Sequence, residues 1–295
     1  MQFQFSQYQY QTDAADAVCD VFDGQPLQDG VSYIRDVGIR KPVFPDPEPI
    51  QDTLFEDNRP KQATFNSYDE DDDTGYRNAD LLLTCERLLA NVKNVQRRQN
   101  LEESPKLYAD PAGAVELDVE METGTGKTFV YTKTMFELNR RYGWSKFIVV
   151  VPSIAIREGV AKSLDMTNDY FYTSGRDGNE GYGKKLHSFI YDSSSLTRLD
   201  EFAQSSDIQV MIINMQAFNT SMKENGRNKD ARIIFSERDN FGSRRPIDVI
   251  SATHPIMILD EPQKMGGKAT QAGIRLFRPL FTLNYSATHK TRHDL

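Results

Sequence analysis

The sequence predicts an open, mostly parallel α/β sheet with helices packed on both faces. Three observations carry that expectation. Apolar runs recur at Phe147–Val151, Ile208–Ile213, Ile256–Leu259 and Thr282–Tyr285, and they are near-continuous, as strands buried on both faces require. The segments between them are too long for hairpins and include helical patterns, which suits crossover connections. A glycine-rich octet, Met121–Thr128, follows the first strand of the series and opens a plausible helix.

Taken in order, Gln2–Tyr10 reads as an aromatic-rich extended segment running into a helix over Thr12–Phe22. Thr12 or Asp13 is the candidate cap, and Ala14, Ala17, Val18 and Val21 recur at helical spacing. Gly24, Pro26 and Gly30 break that helix. Residues 31–78 are rich in proline and acids and read as an exposed insertion, in which the run Asp69–Asp73 is a solvated loop. Helix returns over Ala79–Gln99, with Leu82, Cys85, Leu89, Val92 and Gln96 on one stripe and Leu81, Leu88 and Val95 beside it. From Val115, the residues Leu117, Val119 and Met121 alternate with acids, so that strand meets polar groups on one side. Phe129–Tyr142 is the next helix, with Arg140 and Arg141 in its last turn and Gly143 just past it. Asn168–Ser206 and Thr220–Ser251 are polar and read as surface decoration.

Composition removes several classes. At 295 residues, 38% hydrophobic and 26% charged, the chain can bury a sizeable core, so disorder and fibrous architectures are excluded. Its net charge of −8 argues against a generic basic nucleic-acid coat, although five of the acids lie in the run Asp69–Asp73. The longest apolar stretch, Phe147–Ile156, is broken by Pro152 and Ser153 and is too short to span a bilayer. The opening residues show no export signal, and Cys19 and Cys85 sit outside any metal spacing. The expectation is a cytoplasmic protein with no membrane contact.

Three constellations carry chemistry. In the octet, Gly124 and Gly126 let the backbone curl until successive N–H groups point at one anion, and the helix N-terminus adds its positive dipole end. Lys127 can then reach terminal phosphates, and Thr128 offers a hydroxyl to Mg²⁺. A glycine-rich turn capped by a surface lysine is the plainer reading, and Met121 stands where a strict phosphate loop has its first glycine. Asp260 and Glu261 emerge at the carboxyl end of a buried strand, where ligands of parallel sheets bind. Asp260 is the candidate Mg²⁺ partner, and Glu261 is the candidate base. Ser286 and Thr288, at the next strand's end, can hydrogen-bond the acidic motif beside them.

In this order the three segments resemble motifs I, II and III of superfamily 2 helicases and translocases. The wording of Met121–Thr128, Val151–Val160, Ile212–Asn219, Asp260–Met265 and Tyr285–His289 is closer still to the restriction (Res) subunit of type III restriction–modification enzymes. Tyr8–Val18 is similar to that family's Q motif. The resemblance implies a RecA-like P-loop NTPase fold using ATP and Mg²⁺. It implies that Gln11 reads adenine, since an amide both donates and accepts. Thr123, Gly124, Thr125, Gly126, Lys127 and Thr128 would cradle the phosphates, with Thr128 and Asp260 on the metal and Glu261 on water. Gln263, Ser286 and Thr288 would couple nucleotide to DNA. Arg157 would meet a DNA phosphate, although a salt bridge with Glu158 is the alternative.

On the same resemblance the expected partners are double-stranded DNA and a DNA methyltransferase (modification) subunit. Residues 1–30 would form the Q-motif segment, 31–78 the insertion and 79–295 the P-loop core of a first motor domain. A second RecA-like domain and an endonuclease domain would be absent, so the chain would hydrolyse ATP barely, if at all. Another superfamily 2 motor, of the type I restriction or excision-repair kind, and a nucleotide-binding module without turnover are the competing readings. Arg97–Arg98, Lys184–Lys185 and Arg244–Arg245 are candidate DNA-facing pairs, while Thr173–Arg176 reads as a plain loop. His289 and His293, without a third ligand nearby, are a poor metal pair.

Overall fold

A computed structural model describes residues 7–35, 74–177, 180–192, 196–214, 234–237, 245–265 and 268–288. Among these, the expected sheet is present. Seven strands lie in the order β3-β4-β9-β8-β5-β7-β6. They are β3 (Tyr108–Ala109), β4 (Val115–Glu120), β5 (Lys146–Val151), β6 (Leu186–Ile190), β7 (Ile208–Asn214), β8 (Ile256–Asp260) and β9 (Phe281–Ser286). Every neighbouring pair is parallel except β3 with β4. A separate antiparallel ribbon joins β1 (Ser32–Ile34) to β2 (Thr74–Tyr76).

The pleat sends alternate residues of β5 into two cores. Phe147, Val149 and Val151 pack with residues of α1 (Gln9–Asp20), α2 (Cys85–Arg98), α3 (Lys127–Tyr142) and α4 (Ile154–Thr173). Ile148 and Val150 pack with residues of α5 (Leu196–Gln204), α6 (Pro246–Ala252) and α7 (Lys268–Phe277). Helices therefore cover both faces, and the apolar runs of β5, β7, β8 and β9 are buried along their whole length. The polar side expected of β4 is also present. Asn284 Nδ2 on β9 donates to Glu116 at 2.7 Å and to Asp118 at 2.8 Å.

Several boundaries differ from the sequence reading. The first helix starts at Gln9 rather than Thr12, with Tyr8 at its N-cap, because the Gln11 side chain reaches back to accept from the Tyr8 N–H at 3.2 Å. Gln9 and Tyr10 are thus helical, while residues 1–6 lie outside the described part. The second helix starts at Cys85, since Thr84 caps it by accepting from Arg87 N. Its buried face carries Leu88, Asn91 and Val92, and Leu82 points to solvent. The polar stretch over 168–206 is not mere decoration: β6 forms a sheet edge, and Leu199, Phe202 and Ala203 of α5 are buried. Pro246–Ala252 likewise buries Ile247, Val249 and Ile250. The run Asp69–Asp73, the pair His289 and His293, and Arg244 lie outside the described residues.

Buried polar groups tie the layers together. Asn78, fully buried, accepts from Ser145 N and Lys146 N at 2.7 and 2.9 Å, and it donates to Lys146 O and His254 O, each at 2.9 Å. It therefore satisfies backbone groups at the start of β5 and just ahead of β8. Arg141 holds α3 to α1 through Asp20 at 2.8 Å and Asp16, and it also meets Glu137 at 2.9 Å.

Lys146 is a further tie. Its Nζ donates to Phe202 O at 2.6 Å and to Ser205 O, satisfying carbonyls at the end of α5. Burial pulls its pKa down from 10.5 to about 7, against a small opposing pull from Asp207. Between those two values the unfolded chain holds the proton that the folded one has released. Stability should therefore rise with pH across that window, the penalty being complete below about pH 7. Urea unfolding of the parent and of Lys146→Met checks this. The parent's midpoint should climb relative to the variant's from near-neutral to alkaline pH, and parallel profiles would contradict it.

Candidate functional site: the phosphate loop and the acidic strand end

Parallel pairing of β4, β9 and β8 brings three strand ends to one edge of the sheet. Glu120 pairs with Ser286, and Tyr285 pairs with Asp260. The Met121 N–H donates to Ser286 O at 2.9 Å, and Glu261 N–H to Tyr285 O at 2.8 Å, so the ladder continues past each strand. The three segments singled out in the sequence therefore share one cleft.

The loop leaving β4 turns on Gly124 (φ +85°) and Gly126 (φ +86°), left-handed positions that favour glycine. α3 begins at once with Lys127 and Thr128. Gly126 has a second constraint: a Cβ there would stand 2.8 Å from Gln11 Nε2. That closeness comes from Gln11 supporting the loop from α1. Gln11 is buried and donates to Thr125 O at 3.1 Å, and Tyr10 OH donates to the same carbonyl at 2.9 Å. Thr125 Oγ1 closes the turn on Glu122 O at 2.7 Å. Thr123 and Gly124 are exposed at the mouth. The structure thus places Gln11 under the phosphate loop with both ends of its amide on backbone groups.

Opposite the loop, Asp260 ends β8 as a buried carboxylate, 7% exposed. Burial, with the Glu261 charge beside it, raises its pKa from 3.8 to about 6, while Lys127 and Lys264 pull the other way. Glu261 sits at φ +60°, uncommon for a residue with a side chain. Its burial would raise its pKa, but hydrogen bonds from Lys127 and Gln263 outweigh that and hold it below the usual value.

The side chains then form a continuous relay. Lys127 Nζ meets Glu261 Oε1 at 2.5 Å and lies 3.5 Å from Met121 O. Gln263 Nε2 donates to Glu261 Oε2, and Ser286 Oγ donates to Gln263 Oε1 at 2.8 Å. The Thr288 N–H donates to Ser286 Oγ at 3.2 Å. Lys127, Glu261, Gln263, Ser286 and Thr288 were singled out separately, and the fold brings them into one chain of contacts. The Lys127–Glu261 pair itself was not foreseen, because no spacing rule links a loop lysine to an acid on a strand two places away.

Other expected residues stand apart from the relay. Arg157, in the first turn of α4, pairs with Glu158 at 2.9 Å, and its buried Nε has no partner among the described residues. Arg97 and Arg98 pair with Glu103 at 2.7 Å and Asp20 at 2.6 Å. Lys184 pairs with Asp29 at 2.7 Å, Lys185 lies over the Tyr172 ring, and Arg245 meets Asp248 at 2.6 Å. These basic side chains are held by neighbours in the fold. Thr173–Arg176 is a helix end and turn, whose Gly175 and Arg176 carbonyls accept from the buried Lys133 Nζ at 3.1 and 2.8 Å.

Known proteins are similar to this chain in sequence. The family described as type III restriction enzyme, res subunit, matches residues 84–291, which includes the phosphate loop, the acidic strand end and the Ser286–Thr288 turn. The chain belongs to that family. It is similar to the EcoPI Res subunit of Escherichia phage P1, with 30% identity over 225 residues, covering 72% of this chain and 22% of that protein. The EcoP15I Res subunit of Escherichia coli is 28% identical over 224 residues, covering 72% and 22%. The StyLTI Res subunit of Salmonella typhimurium strain LT2 is 31% identical over 203 residues, covering 61% and 18%. The matched part is thus about a fifth of the length of these relatives. The expected RecA-like P-loop architecture is borne out by the parallel sheet, its two helical layers and this family membership.

The buried Asp260 charge has a measurable cost. Its pKa is raised, so the folded state binds the extra proton between 3.8 and about 6, and the cost is fully present above that window. Asp260→Asn should stabilise the ligand-free chain near neutral pH, on the order of 2 kcal/mol, with the advantage fading towards about pH 4. Thermal melts at the two pH values test this, and an advantage independent of pH would contradict the assignment.

Proposed function

We propose that this chain is the ATP-binding motor portion of a type III restriction enzyme's Res subunit. The observation that carries the reading is the Lys127–Glu261 contact between the phosphate loop and the acidic strand end. A lysine at a helix N-terminus needs a counter-anion, and Glu261 supplies it. Terminal phosphates would take that place, cradled by backbone N–H groups from Thr123 to Thr128.

The oxygen donors present suit Mg²⁺, a hard cation bound through hydroxyls, carboxylates and water. Thr128 and Asp260 would hold it, and when bound it neutralises charge developing on the phosphates. Glu261, released from Lys127, would orient the attacking water and accept its proton. Release of Glu261 also frees Gln263, and through Ser286 and Thr288 the far side of β9 would register whether phosphate is bound. Gln11 would act on adenine only by exchanging its present backbone partners, so its first role is to hold the loop.

The same reading makes double-stranded DNA the track and Arg157 a phosphate contact. A DNA methyltransferase subunit would supply sequence recognition, since the relatives are by name subunits of restriction-modification enzymes. A cytoplasmic location is part of this proposal. It is supported by the finding that no described helix is long and apolar enough to cross a membrane. Slow turnover by this chain alone is also part of it, because Glu261 must leave Lys127 before it can orient water. A nucleotide-binding module without turnover remains the second reading, favoured by that same pair.

Titration with a fluorescent ATP analogue in Mg²⁺ tests the proposal. Lys127→Ala should weaken binding at least about tenfold, near 1.4 kcal/mol, with the melt of the chain preserved. Equal binding by parent and variant would sink the reading. Binding that Lys127→Ala abolishes, with no hydrolysis on added DNA under any salt condition, would favour the module.

A further inference from the structure

Two side chains of α1 converge on one carbonyl of the phosphate loop. Tyr10 OH donates to Thr125 O at 2.9 Å and Gln11 Nε2 donates to the same oxygen at 3.1 Å, so both of its lone pairs are used. Gln11 is buried, but Tyr10 is 46% exposed, its ring stacked on that of Tyr8 at 5.7 Å between centroids. A phenol at the surface has water as a ready partner, so folding gains little from placing this one on a backbone oxygen. What the contact does set is the direction of a peptide plane.

The Thr125–Gly126 peptide is trans, and a planar trans peptide points its carbonyl and its N–H in opposite directions. Fixing Thr125 O against α1 therefore turns the Gly126 N–H away from α1. That N–H donates to no acceptor among the described residues. Gly126 stands at φ +86°, and a glycine permits many other backbone angles, so the residue does not fix the plane by itself. Donors on the carbonyl also polarise the peptide, which makes its N–H a stronger donor.

We propose that Tyr10 is a positioning residue of the phosphate site, its phenol O–H holding the Thr125–Gly126 peptide so that the Gly126 N–H faces the anion. This rests on the reading that the loop takes terminal phosphates. The hydroxyl acts through the peptide it holds and not on the ligand. Its effect therefore belongs to the phosphates and is the same whether or not a base is attached to them.

Calorimetric titration of the 295-residue chain with inorganic tripolyphosphate and with ADP tests the assignment. Tyr10→Phe removes only the hydroxyl and should weaken both ligands by the same factor, about threefold to fivefold, with the thermal midpoint unchanged. Before ligand is added, the Gly126 amide nitrogen resonance should move upfield, because its own peptide has lost a donor on the carbonyl. Parent-like affinity for both ligands overturns the proposal while leaving the nucleotide site standing. A loss confined to ADP also overturns it, since the hydroxyl would then act on the nucleoside. Should the midpoint fall, the resonance decides: a shifted Gly126 line sustains the assignment, and a line at the parent position overturns it. If the parent binds neither ligand, the phosphate reading itself fails, and this assignment falls with it.

Discussion

The site depends on one contact, the ion pair between Lys127 and Glu261. It exists because β9 lies between β4 and β8 in parallel register, so the loop after β4 and the acid after β8 end at the same height. A one-residue slip in either pairing would turn Asp260 and Ser286 to the opposite face. The left-handed backbone at Glu261 completes the geometry, bending its carboxylate back towards the lysine. Strain of that kind persists only where surrounding contacts over-determine it. Here the extra ladder bond to Tyr285 O and the Gln263 side chain do so.

Rigidity behind the cleft comes from polar groups that the apolar pattern does not announce. Asn78 joins the starts of β5 and β8, Lys146 closes the end of α5, and Arg141 with Glu137, Asp16 and Asp20 locks α1 against α3. The last of these matters most for the site, since α1 delivers Gln11 and Tyr10 to the Thr125 carbonyl. The phosphate loop is therefore held from outside its own strand and helix. Buried polar networks are costly when partly satisfied, which is why these members are hydrogen-bonded so fully.

Much of this was legible in the chain. Period and continuity identified β5, β7, β8 and β9, because strands buried on both faces tolerate few polar residues. Gly143 marked the end of α3, and Gly124 and Gly126 marked the turn, since glycine adopts their left-handed conformations without steric cost. Less legible were β6 and α5, whose short apolar stretches are diluted by Ser188, Thr197 and Asp200. The start of α1 was misplaced because Gln11, rather than Thr12 or Asp13, provides the capping contact.

The sequence by itself determined which residues the site has available: a glycine loop with its lysine, an acidic pair ending an apolar run, and a hydroxyl turn. Such features are local, set by backbone conformation and burial within a few residues. Only the tertiary structure decided which of them touch. Strand order and register carry no local signature, so the Lys127–Glu261 pair and the support of Thr125 by Gln11 appear only once the sheet is assembled.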